Sequence, residues 1–108
     1  MPKINLKLPS RYLRFKKDYP KVFKAYADLG NTSQKAGPLN ARTRALVKLS
    51  IAVGARMEGA VHSHTRRAIE AGCTPKEIRH AVLLAVTTLG FPSMMAAMSW
   101  VDDILGKK

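Results

Sequence analysis

Residues 72–77 of the chain read GCTPKE, and they mark the clearest break between two helices. Gly72 follows a long stretch with helical character and is typical of a helix C-terminus. Thr74 is a favourable N-cap and Pro75 suits the first helical position, while Glu77 completes a capping box. The stretch therefore predicts that one helix ends near residue 71 and that the next begins at Pro75.

Two helices are predicted on the C-terminal side of this break. The first carries apolar residues over 78–89 and is expected to be almost fully buried. His80 lies on this helix and is expected to be a structural histidine. Gly90 ends the helix, and Pro92 begins the last one. Apolar side chains recur in register along that last helix, at Met94, Met98, Val101 and Leu105.

Two more helices are predicted immediately on the N-terminal side. A helix with many polar residues is expected over 57–71. Asn40 is a good N-cap for the helix before it, which is expected over 41–55 with Gly54 near its end.

The N-terminal third also has helical periodicity, because its apolar residues recur at spacings of three and four. Pro20 interrupts this pattern, so we predict a short helix near 10–18 and a second one that begins at the proline. A loop is expected over 30–39. The sequence thus predicts an all-α fold, a single-domain helical bundle of five to six helices. Within it, residues 1–36 form an N-terminal helical extension and residues 37–108 form the core.

The composition narrows the range of functions. The chain of 108 residues has 19 basic and 7 acidic residues, a formal net charge of +12, and one cysteine. No motif for nucleic-acid binding is present, so we expect no nucleic-acid partner; the basic surface favours a small anionic molecule instead. The longest apolar stretch, residues 81–91, is shorter than the roughly 20 residues of a membrane span. With no secretory leader pattern, we expect a cytoplasmic protein that does not bind membranes.

The predicted polar helix carries the candidate functional groups. A spacing of four places Glu58, His62 and Arg66 on one face of the helix. His64 is rotated from His62 by about 200°, so the two rings do not chelate one ion there, and no metal site is predicted. Two interpretations stay open at this point: the polar groups form structural pairs, or they carry out chemistry.

Several segments together resemble the carboxymuconolactone decarboxylase family. They are residues 37–53 (GPLNARTRALVKLSIAV), 58–72 (EGAVHSHTRRAIEAG), 74–86 (TPKEIRHAVLLAV) and 90–98 (GFPSMMAAM). The resemblance covers about 37–105 and lies in the order of the elements, since each element alone is weak. It implies a fold of the alkylhydroperoxidase D-like type that assembles as a homotrimer or a homohexamer.

The decarboxylase branch of that family implies a lyase that removes CO2 from a small anionic lactone or related carbon acid without a cofactor. The resemblance matches an acidic residue at Glu58 and a histidine at His64. With His62, which is an ionisable group of the same predicted helix, they are the candidate catalytic residues. His64 is then the proton donor, and Glu58 orients or polarises it. The candidates for binding the substrate carboxylates are Arg56, Arg66 and Arg67.

The other branch of the family uses a Cys-x-x-Cys pair ahead of the histidine. Those positions hold Glu58 and Val61 here, and Cys73 lies beyond the motif. A disulfide relay does not run without its sulfur atoms, so the sequence disfavours a thiol peroxidase, and Cys73 is interpreted as an incidental thiol. A non-catalytic helical oligomer on the same scaffold is the alternative to an enzyme.

Overall fold

The computed structural model describes residues 3–106, and within them it contains six α-helices and no strand. A single 3₁₀ turn, Leu84–Val86, separates the last two helices. No helix in this part of the chain combines the length and the apolar character that crossing a membrane requires. The helices are α1 (Ser10–Asp18), α2 (Pro20–Gln34), α3 (Ala41–Ala55), α4 (Glu58–Glu70), α5 (Pro75–Leu83) and α6 (Phe91–Leu105).

The described residues form two compact units. One contains residues 3–6 and 40–106, and the other contains residues 7–39. The all-α fold class predicted from the sequence is confirmed. The predicted division into residues 1–36 and 37–108 stays a prediction.

The unit formed by residues 40–106 has the apolar core. Helix α4 packs against α3 on one side and α6 on another, and α5 packs against α6 and α3. Seven apolar side chains at the centre are at most 1% exposed: Leu49, Val61, Ala68, Ile78, Val82, Ala97 and Val101. The N-terminal residues 3–6 add one backbone hydrogen bond to this unit, from the Asn5 N–H to the carbonyl of Ile104, at 2.7 Å.

The helix starts follow the chemistry of the sequence. The Asn40 side chain accepts a hydrogen bond from the Thr43 N–H. Thr74 and Glu77 form the predicted capping box, in which each side chain accepts from the backbone N–H of the other residue. These bonds satisfy N–H groups that have no partner within their own helix, so both predicted helix starts are confirmed.

Helices α3 and α4 end in the same way with different residues. At the end of α4, Gly72 has φ of 95°, and the Cys73 N–H donates to the carbonyl of Ala68. At the end of α3 the left-handed position is held by Arg56, with φ of 57°. The prediction that Gly54 lies near the end of α3 is correct, but Gly54 is helical and does not form the turn.

Two expectations about α5 are wrong. The helix ends at Leu83 instead of continuing to residue 89, and both Leu83 and Leu84 are exposed. His80 is also exposed, so it is not a buried structural histidine. A continuous apolar pattern does not reveal which part of it lies against other helices, and this segment turns into the 3₁₀ geometry partway along.

The unit of residues 7–39 contains α1 and α2, and neither helix has a fully buried residue. The rings of Tyr12 and Phe23 meet edge to face at 5.6 Å, and the Lys16 ammonium lies 5.2 Å from the Phe23 ring centre. The predicted start of α2 at Pro20 is confirmed. The predicted loop begins later than expected, because α2 continues to Gln34.

Candidate functional site

Helix α4 presents polar groups on both sides of a buried stripe. Val61, Thr65 and Ala68 are fully buried, and the Thr65 hydroxyl donates to the carbonyl of Val61 at 2.7 Å. These positions are spaced by four and three, so they form one face of the helix. His62 and His64 follow Val61 by one and three residues and therefore flank the stripe on opposite sides.

On one side His62 meets two carboxylates. Its Nε2 atom lies 2.9 Å from Oδ2 of Asp103 on α6, which is a hydrogen bond when Nε2 carries the proton. The same nitrogen lies 4.0 Å from Oε2 of Glu58, one turn earlier on α4. The His62 side chain is 23% exposed, whereas Glu58 and Asp103 are 59% and 51% exposed. This side of α4 is acidic and is reached by solvent.

On the other side His64 lies among positive charges. Its imidazole is half-buried, and burial is the main cause that lowers its pKa below the ordinary value of 6.5. The charges of Lys48, on α3, and of Arg67 lower this pKa further. Among residues 3–106, no side chain or backbone group makes a hydrogen bond to the ring. The lowered pKa keeps the His64 ring mainly neutral at pH 7.

The three predicted arginines have three different environments. Arg56 is exposed at the turn between α3 and α4. Arg66 is buried, which is the main cause that lowers its pKa, while the nearby charge of Glu70 opposes this effect. Arg67 is exposed and is the one whose charge acts on His64.

The structure thus divides the predicted site residues. Glu58 and His62 come together, and His64 lies with Arg67. Sequence reasoning missed Asp103 and Lys48. Asp103 is 41 residues from His62, and no local pattern indicates that they meet. Lys48 offered one signal, because it is a charged residue within an apolar run of α3.

Cys73 lies apart from both histidines. Its side chain is buried, and its thiol donates to the carbonyl of Arg42 at 3.6 Å. The Arg42 guanidinium in turn holds the Glu77 carboxylate at 2.6 Å. The Arg42 guanidinium and the bond from the Thr74 N–H together lower the pKa of Glu77, with the backbone bond as the larger cause. This cysteine belongs to a structural contact between α3 and the start of α5.

The unit of residues 40–106 also has an apolar groove of about 590 Å³ between α3 and the segment that contains α5 and the 3₁₀ turn. None of the predicted site residues lines it. Its walls include the exposed side chains of Val47, Ile51 and Leu84.

Comparison with known proteins agrees with this architecture. The model of the carboxymuconolactone decarboxylase family matches residues 20–103, which is more than half of the chain. The chain therefore belongs to the carboxymuconolactone decarboxylase family. The crystal structure of an apo protein of this family from Legionella pneumophila has a TM-score of 0.72 over 88% of this chain and 85% of its own, at 23% identity. At that identity the likeness concerns the fold alone.

Two curated relatives are similar in sequence. A nitrosuccinic acid decarboxylase of Metarhizium robertsii is 39% identical over 82 residues, which are 72% of this chain and 57% of the relative. An uncharacterised protein of Haemophilus influenzae is 38% identical over 52 residues, 48% of this chain and 46% of the relative. The chain thus spans about half the length of the curated relatives that it matches.

Proposed function

We propose that this protein is a decarboxylase of a small anionic carbon acid, with His64 as the proton donor and Lys48 and Arg67 as the groups that bind the substrate's carboxylates. The observation that carries this proposal is the half-buried imidazole of His64, kept neutral beside two cations. An anion that enters this site gains two charge-assisted contacts and reaches a titratable ring. Family membership and a relative named as a decarboxylase support the same class of reaction.

In the decarboxylation step one proton takes the place of the CO2 that leaves the substrate. The bond between the departing carboxylate and its carbon breaks, CO2 leaves, and the electron pair moves into a neighbouring acceptor group of the substrate. A conjugated lactone or a nitro group serves as that acceptor, so the step itself needs no cofactor. The protonated His64 ring then gives its proton to carbon, and the ring takes up a proton from the solution, so that the overall reaction consumes one proton and releases one CO2.

Substrate binding prepares the histidine for this role. Burial is the largest cause that lowers the pKa of His64 in the free protein, and the charges of Lys48 and Arg67 lower it further because they oppose a third positive charge. A bound carboxylate compensates for these two charges and so raises the pKa of His64. The ring is therefore protonated more readily in the complex than in the free protein. This coupling predicts that kcat keeps its value to a higher pH than kcat/KM does.

The test combines turnover with a direct view of the ring. The purified full chain is incubated with carboxymuconolactone and, separately, with nitrosuccinate, and CO2 release is measured. In parallel the imidazole signals of the three histidines are followed by NMR during titration with each compound. We expect a selective upward shift of the His64 pKa on binding and CO2 release from at least one compound. The proposal fails if neither compound moves the His64 signals, or if both move only those of His62.

Self-association as a homotrimer or a homohexamer is a second part of the proposal. The apolar groove with exposed Val47, Ile51 and Leu84 supports it, because exposed apolar patches of this kind are typical of interaction sites. The variant Ile51→Asp should reduce the particle mass measured by light scattering. Lys76→Asp, at an exposed position of α5, is the matched control. A wild-type chain that is monomeric would contradict this part.

A non-catalytic oligomer is the competing function, and the same groove favours it. It predicts that the wild-type chain associates, while His64 titrates identically with and without the two compounds.

A further inference from the structure

On the side of α4 opposite to His64 lies a group of three side chains of the types that bind metal ions. Glu58, His62 and Asp103 each offer one donor atom, and these three atoms all lie within 4.8 Å of one another. Two of the donors come from successive turns of α4 and the third comes from α6. The helices that carry them are packed together through the buried core, so their backbones are fixed relative to one another.

The distances suit a single metal ion. Donors that bind one ion at about 2.1 Å lie roughly 3 to 3.5 Å apart, depending on the geometry. Nε2 of His62 is 2.9 Å from Asp103 and 4.0 Å from Glu58. Both carboxylates are more than half exposed, so small rotations of their side chains complete the approach without moving a helix.

The negative charges of this group also favour the binding of a cation. Four of the seven acidic residues form ion pairs with lysine or arginine, namely Asp18, Asp28, Glu77 and Asp102. Within residues 3–106, the carboxylates of Glu58 and Asp103 instead have His62 as their basic neighbour, at 4.0 Å and 2.9 Å from Nε2. Two neighbouring carboxylates thus share one imidazole in a chain that has 19 basic residues. A divalent cation would balance both negative charges.

We propose that Glu58, His62 and Asp103 bind a divalent transition-metal ion, with Zn²⁺ as the best fit to one imidazole and two carboxylates. An imidazole ligand favours zinc over magnesium or calcium, which prefer sites made only of oxygen. Three protein ligands leave a fourth position for water on the exposed side. The ion joins the start of α4 to the last turns of α6. This proposal does not depend on the chemistry of His64, which lies on the other side of the helix.

The local sequence does not reveal this site. A search within one helix finds only the pair Glu58 and His62, because the third ligand is far along the chain. The argument that His62 and His64 do not chelate one ion still holds. That argument does not exclude a site in which His62 shares one ion with Asp103 of α6.

The test uses the full chain after treatment with a chelator, and the probe is Zn²⁺ alone. Binding is measured at neutral pH by competition with a chromogenic chelator, and Co²⁺ absorption reports the ligand geometry. We expect one Zn²⁺ per chain, with loss of this binding in His62→Ala. Glu58→Gln and Asp103→Asn should each weaken it at least about tenfold, since even groups that only support metal ligands contribute this much. His80→Ala and Glu70→Gln are the matched controls, because both side chains are exposed and lie outside the group.

Circular dichroism of every variant shows whether the helices are intact, and His62→Gln is a second variant with a smaller change of volume. The proposal is wrong if the folded wild-type chain binds no Zn²⁺. It is also wrong if His62→Ala and His62→Gln bind Zn²⁺ as tightly as the wild type, or if His80→Ala loses binding to the same extent. All of these readouts are independent of decarboxylation.

Discussion

The two sides of α4 place the same residue type in opposite surroundings. His62 faces α6 and meets two carboxylates, whereas His64 faces α3 and lies among two cations and buried groups. The two histidines are separated by one residue, yet the charges near them differ in sign. An imidazole beside carboxylates can share a metal ion with them, and one beside cations favours the neutral form and an anionic ligand. The role of a histidine is therefore set by the helices that pack against it.

The largest expected effect is a loss of activity when His64 is replaced. His64→Gln removes the proposed proton donor and keeps a polar side chain of similar size. We expect the rate of CO2 release to fall by about 10²- to 10⁴-fold, which is the usual contribution of a general acid. His80→Gln is the matched control, because His80 is exposed on α5. Unchanged turnover in His64→Gln would remove this residue from the mechanism.

A smaller effect is expected from the cation on α3. Lys48→Met removes one of the two cations that we propose to bind the substrate, so kcat/KM should fall about tenfold or more. The same change removes a charge that lowers the pKa of His64, and that pKa should therefore rise. Steady-state kinetics and NMR titration measure the two results separately. Lys76→Met should change neither, and a His64 pKa that stays the same in Lys48→Met would contradict the proximity on which the site depends.

The acid dependence of stability follows from the same pKa. The folded chain holds the His64 pKa below 6.5, so the unfolded chain binds more protons as the pH falls through this value. The contribution of His64 to stability is therefore zero well above pH 6.5, becomes unfavourable as the pH falls, and levels off below the folded pKa. Urea unfolding at about pH 7.5 and about pH 5 should show a smaller loss of stability in His64→Gln than in the wild type. His80→Gln serves as control, and equal losses in His64→Gln and wild type would show that the folded pKa is not lowered.

The smallest expected effect concerns Arg56, which belongs to neither side of α4. Arg56 occupies a left-handed conformation that costs a non-glycine residue about 1 kcal/mol. Arg56→Gly should therefore raise the free energy of unfolding by up to about 1 kcal/mol. Gly72→Ala should lower it by a similar amount of about 1 kcal/mol, because Gly72 has positive φ. A Cβ at Gly72 would lie 3.9 Å from the nearest side-chain atom, so no collision adds to this cost.

Urea unfolding measures both variants. The critical result is that the free energy of unfolding rises in Arg56→Gly and falls in Gly72→Ala. A fall in stability in Arg56→Gly would mean that the arginine side chain makes a stabilising contact. A loss of substrate affinity in this variant would support the prediction that Arg56 binds substrate.

Most of the fold could be predicted because its signals are local. The capping box at Thr74, the proline at the start of α2 and the cap at Asn40 each lie within a few residues of the helix start that they define. The wrong predictions concern a segment in which the neighbouring residues give no signal for a helix end. The apolar residues after Leu83 looked like one buried helix, but burial depends on which neighbours pack against each residue, and here Leu83 and Leu84 face outward.

The candidate site could be predicted only in part. Sequence spacing correctly placed Glu58 beside His62 and separated His62 from His64. It did not find Asp103 or Lys48, which come from α6 and α3, because contacts between distant segments leave no periodic pattern. The sequence alone does not distinguish the three arginines as candidates for substrate binding. The structure places Arg56 in a turn, Arg66 in the interior and Arg67 beside His64.

The sequence by itself determined the helices, their main boundaries and the set of ionisable groups on α4, because caps, prolines and spacing act over one or two turns of backbone. Only the tertiary structure decided which charges surround each histidine. That outcome depends on how α3 and α6 pack on the two sides of α4, and packing is set by the shape of the whole buried core. Two histidines of the same short segment, two residues apart, therefore have surroundings of opposite charge.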